Sequence, residues 1–275
     1  MSCENATGAG SGVKSRRTEA YEVQEEKMLQ EFFINDDGIK LHAKLEKPDH
    51  VEKCPLLVII HGLTGHMEER HIAAVADTAL ELDMAALRVE MYGHGKSEGR
   101  FEDHTLLKWI SNALKALDYA KSLDFVTDIY LTGHSQGGLL SILVAGMRHD
   151  DIKALIPLSP ALCITDGART GNILGMTFDP EHIPDEFFLS GGERLRGDYL
   201  RAAQLIDVPE MMKKFRGPVL FVHGDADEAV PAEYSVKAKD EYENARLVLI
   251  PEDTHCFDHH LDQMLAAVKT FLAEN

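Results

Sequence analysis

The sequence predicts an α/β fold: a mostly parallel central sheet with helices on both faces and an inserted lid. Three observations carry this reading. From about residue 30 onward, short apolar runs alternate with segments of helical spacing, the rhythm of strand–helix–strand units. PLLVIIHG (55–62) is a continuous apolar run, as a strand buried on both faces of a parallel sheet requires. The rhythm then fails over residues 162–208, a stretch too long for an ordinary connection and best read as a lid inserted into a domain spanning 29–275.

The elements follow in order. EFFINDDGIKLHAKLEKP reads as a hairpin around Asp36-Asp37-Gly38. After the strand at 55–62 come a helix (71–82), a strand (84–91), an amphipathic helix (105–123) and a short strand (128–133). A strongly apolar helix (137–147) and a strand (152–160) precede the lid. Beyond it lie a strand (217–224), a helix beginning at Ala232, a strand (245–251) and a final helix. The Gly/Ser-rich residues 1–28 read as a flexible tail without an apolar signal segment.

A net charge of -18 argues against a nucleic-acid partner and against anionic membrane surfaces, both of which call for a basic footprint. No run is long enough to span a bilayer. The four cysteines are scattered without a Cys-x-x-Cys pair, which favours a reducing, cytoplasmic setting over a disulfide framework.

Gly-x-Ser-x-Gly occurs twice, around Ser97 and around Ser135. Ser135 falls where a short strand ends and an apolar helix begins, a sharp turn that lifts the hydroxyl above the sheet. The helix N-terminus beneath it offers free N–H groups and partial positive charge to a developing oxyanion. Ser97 lies well past its strand and is followed by polar GRFEDH, so it has no helix to use. Gly95-Lys96-Ser97 mimics the end of a phosphate loop, but Glu90 stands where that loop needs its first glycine.

A serine hydroxyl needs a base, and imidazole suits the task near neutral pH. In this layout the acid and the histidine follow the serine in that order, each after a strand. His255 follows the last strand. Asp227 follows the strand at 217–224 and reaches further than Asp225, which lies close enough to the strand end to bond the turn's backbone. His259 and His260 are expected at the start of the final helix. No ligand set elsewhere completes a metal site with His255, Cys256, His259 and His260. The oxyanion donors are expected from the backbone N–H of Gln136 and, within the glycine-flanked bend His61-Gly62-Leu63-Thr64-Gly65, of Leu63.

HGLTGHMEERH, MYGHGKSEG, GHSQGG, HGDADEAVP and DTHCFDHH together resemble the bacterial cinnamoyl (feruloyl) esterases of the α/β-hydrolase superfamily, over residues 29–275. The resemblance implies Ser135 as nucleophile, His255 as base, Asp227 as its orienter and an oxyanion hole at Leu63 and Gln136. Position 63 is often Phe in such proteins, so Leu63 reshapes the acyl pocket while its backbone still donates. It implies a small aromatic ester as substrate, no cofactor, no metal, and allows a homodimer. It also implies lid residues bonding the ring hydroxyls, for which Asp166 and Tyr199 are the candidates. Phe178, Phe187 and Phe188 offer aromatic surface for the acyl group or for the lid's own core. The triad alone leaves general short-chain carboxylesterase, lipase, thioesterase and peptidase chemistry open. A non-catalytic binding protein on this scaffold would typically lack a triad member, and all three are present.

Overall fold

Alternate residues of one strand divide the interior in two. In the computed structural model, which describes residues 27–173 and 175–275, strand β3 (Cys54–Ile60) sends Leu56, Val58 and Ile60 into one buried cluster and Leu57 and Ile59 into another. A strand covered on both faces has no solvent side, so its sequence shows no alternation.

Before it, β1 (Lys27–Asp36) and β2 (Ile39–Pro48) form an antiparallel hairpin. Asp37 and Gly38 both take positive φ, as a two-residue hairpin turn requires, and Asn35 Oδ1 accepts the Gly38 N–H at 2.8 Å. The expected tail lies outside the described residues except for Lys27 and Met28, which begin β1.

After β3 come α1 (Arg70–Leu80), β4 (Ala85–Val89), α2 (Leu106–Lys121), β5 (Val126–His134), α3 (Gln136–Met147) and β6 (Ala154–Leu158). The inserted stretch holds α4 (Cys163–Thr170), the small pair β7 (Asn172–Ile173) and β8 (Met176–Thr177), and a second pair, β9 (Glu186–Phe188) and β10 (Arg194–Arg196). It continues through α5 (Asp198–Gln204) to α6 (Val208–Met212). The chain then completes β11 (Val219–Gly224), α7 (Glu233–Lys239), β12 (Ala245–Ile250) and α8 (Leu261–Glu274).

The main sheet has eight strands in the order β1-β2-β4-β3-β5-β6-β11-β12. From β4 to β12 every neighbouring pair is parallel, and β2 runs against both of its neighbours. Helices α1 and α8 cover one face through Ile72, Val75, Met264 and Val268. The other face carries α2 and α3, with Trp109, Leu117, Leu139 and Leu143 in its core. Helix α3 is apolar on every side because it is buried on every side, from Gln136 to Gly146.

The insertion has no core of its own. Ile164, Ile173, Phe187, Leu195, Tyr199 and Leu200 join the cluster formed by α2 and α3. Two ion pairs, Arg194–Glu102 at 3.0 Å and Arg196–Asp103 at 2.6 Å, tie β10 to the short helical turn at 101–103.

Candidate active site

Strand β5 ends at His134 and helix α3 begins at Gln136, so a single residue, Ser135, makes the turn. Its φ of 57° and ψ of -120° lie where a side chain is strained, a cost of about 1–3 kcal/mol that the surroundings must enforce. They do so from three directions. Ser135 N–H donates to Leu158 O at 2.9 Å, and its carbonyl accepts from Leu139 at 3.1 Å and Ala161 at 2.9 Å. A methyl group on Gly133 would overlap the Gly137 carbonyl, and one on Gly137 would overlap the carbonyls of Ile60 and His61. The two glycines of the pattern are therefore there because the turn has no room for anything larger.

The other Gly-x-Ser-x-Gly is a different object. Ser97 is buried; its Oγ donates to Glu90 O at 2.6 Å and accepts from His42 N–H at 2.8 Å.

Asp227 and His255 arrive on the loops after β11 and β12, which are neighbours in the sheet. His255 Nδ1 donates to Asp227 Oδ2 at 2.6 Å. Asp227 Oδ1 accepts the N–H groups of Ala229 and Val230, each at 2.8 Å, and Oδ2 also accepts from His223 Nε2 at 3.1 Å. Burial works to raise the Asp227 pKa, but the hydrogen bonds from His223 and His255 outweigh it and hold the carboxyl well below the usual carboxylate range. Asp225 accepts the Glu252 N–H at 2.6 Å and fastens one loop to the other.

Ser135 and His255 line one cavity of about 290 Å³. The hydroxyl makes no hydrogen bond of its own among the described residues, and the two side chains face the same space. The N–H groups of Leu63 and Gln136 also lack an acceptor among the described residues. The bend holding Leu63 is closed by Gly65 N–H to Gly62 O at 3.1 Å. Beneath it, His61 Nδ1 donates to Gly62 O at 2.8 Å and Nε2 accepts from Met91 N–H at 3.0 Å. Burial lowers the His61 pKa to about 3, so this strut stays neutral.

Asp166 and Tyr199 sit elsewhere. Tyr199 is fully buried, and its hydroxyl donates to Gln136 Oε1 at 2.7 Å. Asp166 lines a second hollow of about 200 Å³ with Thr165, Tyr234 and Lys237. Neither lines the Ser135 cavity, and neither do Phe178, Phe187 and Phe188. Phe187 packs against Tyr199 in the core, ring centroids 6.2 Å apart, whereas Phe188 is exposed. The insertion reaches the cavity instead through Ile164 and the turn Leu189, Ser190, Gly191 and Glu193. A larger hollow of about 440 Å³, among Lys121, Asp128 and Asp151, opens at the amino ends of β5 and β6, the opposite edge of the sheet.

Sequence reasoning missed two residues. Buried Asp253 accepts the N–H groups of Thr254 (2.8 Å), His259 and His260 (3.1 Å each), shaping the loop that carries His255. His134 Nε2 donates to His255 O at 2.8 Å. Asp253 lies two residues before His255, and nothing in its spacing marks it. Among the described residues no three His, Cys, Asp or Glu side chains are placed to hold a metal ion, and no helix is long and apolar enough to cross a membrane.

A serine on a strained strand-to-helix turn, with His and Asp on later loops of the same parallel sheet, defines the α/β-hydrolase class. The chain belongs to the α/β-hydrolase superfamily. A family model described as "Serine aminopeptidase, S33" matches residues 52–184. Within the superfamily the chain is similar to Est1E from Butyrivibrio proteoclasticus, solved with ferulic acid bound: 59% identity, TM-score 0.87, covering 88% of this chain and 98% of that one. It is 30% identical over 143 residues to the monoglyceride lipase of Mus musculus, covering 51% of this chain and 46% of that protein. It is 27% identical over 199 residues to the mitochondrial palmitoyl-protein thioesterase ABHD10 of Bos taurus, 68% of this chain and 62% of that protein. The chain thus spans about half to two thirds of the length of these curated relatives.

Proposed function

We propose that the protein is a serine carboxylesterase that hydrolyses hydroxycinnamate esters (feruloyl, caffeoyl or p-coumaroyl) through an acyl-enzyme. The observation that carries this reading is the His255–Asp227 hydrogen bond, with His255 and Ser135 lining one cavity. Because Nδ1 of His255 carries the hydrogen given to Asp227, Nε2 is left bare to take the serine proton. Ser135 Oγ attacks the ester carbonyl as that proton leaves. The N–H groups of Leu63 and Gln136 hold the oxyanion. His255 returns the proton to the departing alcohol, then activates the water that frees the acid. Asp227, held anionic, stabilises the imidazolium in both halves.

The cavity supports a small acyl group. Its volume is near the lower end of the ~300–1,000 Å³ usual for small-molecule sites. Leu63, Ala161, Ile164 and Leu189 give apolar walls, and Thr64, Ser190 and Glu193 give polar ones, a mixture suited to a hydroxylated ring better than to a long alkyl chain. The ferulic acid in Est1E supports the same acyl class. We read the insertion as the lid over this cavity. The free thiols of Cys54, Cys163 and Cys256 favour the cytoplasm for this enzyme.

Hydrolysis of methyl ferulate, set against short- and long-chain p-nitrophenyl esters and a peptide amide, tests the substrate class; preference for the long-chain ester would replace this reading with a lipase. Ser135→Ala and Asp227→Asn are each expected to lower kcat by about 10⁴-fold or more. A fluorophosphonate probe is expected to label the wild type and not Ser135→Ala. A folded wild type that resists labelling would point to a binding protein.

A further inference from the structure

We propose that His223 is a positioning residue of this site: its Nε2–H shares Asp227 Oδ2 with the Nδ1–H of His255 and so limits how firmly the carboxylate holds the His255 proton. The inference rests on the triad reading above.

The hydrogen on His223 is fixed by its neighbours. Nε2 lies 3.1 Å from Asp227 Oδ2 and 3.0 Å from the Val230 carbonyl. Both are acceptors only, so Nε2 must donate. Nδ1 lies 2.7 Å from Ser235 Oγ, a hydroxyl able to donate to a bare ring nitrogen. The side chains of His223 and Asp227 are wholly buried, and Ser235 is buried with them. This is a chain of two donors ending on a carboxylate: Ser235 to His223, His223 to Asp227.

Asp227 therefore receives four hydrogen bonds: two backbone N–H groups on Oδ1 and two imidazoles on Oδ2. Each donor to an anion withdraws charge from the others. With His223 in place, Oδ2 is a weaker partner for His255 than an oxygen bonded to His255 alone. The remaining groups around His255 do not replace it. His134, at the end of β5, faces it with ring centroids 4.7 Å apart, and His71 lies beyond on α1; burial keeps both neutral. Glu69, at the start of α1, acts on His255 from a distance, and burial raises its carboxyl. Burial also pushes the thiols of Cys163 and Cys256, which feel the charge of Asp227, up to about 11, so they stay uncharged. Asp227 is the only charge that touches His255 among the described residues, and His223 is the only other side chain bonded to it.

The sign follows. Removing the His223 donor concentrates charge on Oδ2, strengthens the imidazolium of His255 and makes the base hold its proton to higher pH. The test is the pH dependence of kcat/KM on methyl ferulate for the full-length wild type, His223→Leu, His223→Gln and Ser135→Ala, with melting curves to check folding. His223→Leu is expected to move the acid limb up by about one pH unit, a tenfold gain in proton affinity, with kcat changed more than KM. His223→Gln keeps an N–H donor and is expected to restore most of the limb's position. An unmoved limb in His223→Leu, or equal shifts in both variants, overturns the proposal. Where the Leu variant does not fold, nitrogen NMR of the wild type with labelled histidine decides: the Nε2–H tautomer of His223 with a bare Nδ1 supports it, and the Nδ1–H tautomer overturns it. If Ser135→Ala keeps full activity, the triad reading itself fails; if that variant is dead and the limb of His223→Leu stays put, only the role of His223 fails.

Discussion

Ser97 Oγ is committed twice inside the protein, to the Glu90 carbonyl and to the His42 N–H, while Ser135 Oγ faces a cavity with its hydrogen uncommitted. The same five-residue pattern thus yields a buried structural strut at Ser97 and a hydroxyl open to a cavity at Ser135. Ser97→Ala leaves a buried carbonyl and N–H unpaired, which is expected to cost about 1–3 kcal/mol in urea unfolding while leaving the specific activity of the folded enzyme within about twofold. Loss of catalysis in this variant with stability intact would reverse the assignment. The placement of Ser135 on a strand-to-helix turn was legible because strand, turn and helix follow one another directly in the sequence. The partners of Tyr199 were not. A tyrosine in an aperiodic stretch carries no signal of whether its hydroxyl meets ligand or protein, and here it meets the Gln136 amide, next to Ser135 in the chain.

The turn between β5 and α3 shows how an element imposes its residues. Close approach of Gly137 to the carbonyls of Ile60 and His61 lets β3 and α3 meet at the point where the serine is raised. Gly137→Ala is expected to push the helix off the strand, costing several kcal/mol and lowering kcat at least tenfold, because a displacement of about 1 Å at a reacting group costs that much or more. An alanine variant with wild-type melting and kinetics would show that the contact yields. Regular elements were readable to within a few residues, since each has enough length to show a period: 105–123 became Leu106–Lys121, 245–251 became Ala245–Ile250, and 152–160 became Ala154–Leu158. Inside the insertion the strands are two or three residues long. A period of two needs more residues than that to be seen, so ordered structure there reads as irregular sequence.

At the scale of the whole molecule, the buried histidines link stability to pH. His61, His71 and His104 have pKa values lowered by burial to about 3, 4 and 3, and burial lowers His94 and His134 as well. Free histidine in the unfolded chain titrates near 6.5. Each group is neutral in both states above that pH, so its full contribution is present there. As pH falls through 6.5 the unfolded chain binds protons that the folded chain refuses, and stability drops until the folded value is reached. At pH 5 each of the three is expected to cost about 2 kcal/mol relative to neutral pH. Urea unfolding at pH 7.5 and 5.0 should therefore differ by several kcal/mol; a difference below about 1 kcal/mol would mean these rings are protonated while folded. The order of strands was less legible than the strands themselves. β4 precedes β3 in the sheet although it follows it in the chain, taking the place between β2 and β3. Periodicity reports which residues are covered and not which strand lies beside which.

The insertion leaves from the end of β6 and the chain returns as β11, and these two strands are hydrogen-bonded neighbours, with Leu155 beside Val219 and Leu158 beside Val222. Departure from one strand and return on its hydrogen-bonded neighbour make the intervening residues a replaceable cassette. A longer, shorter or unrelated cassette could be spliced there while the ladder stays whole. The turn carrying Leu189 and Glu193 lies within that cassette, and Ser135, Asp227 and His255 lie outside it. What enters the cavity can therefore be changed through that cassette while the residues at 135, 227 and 255 keep their places.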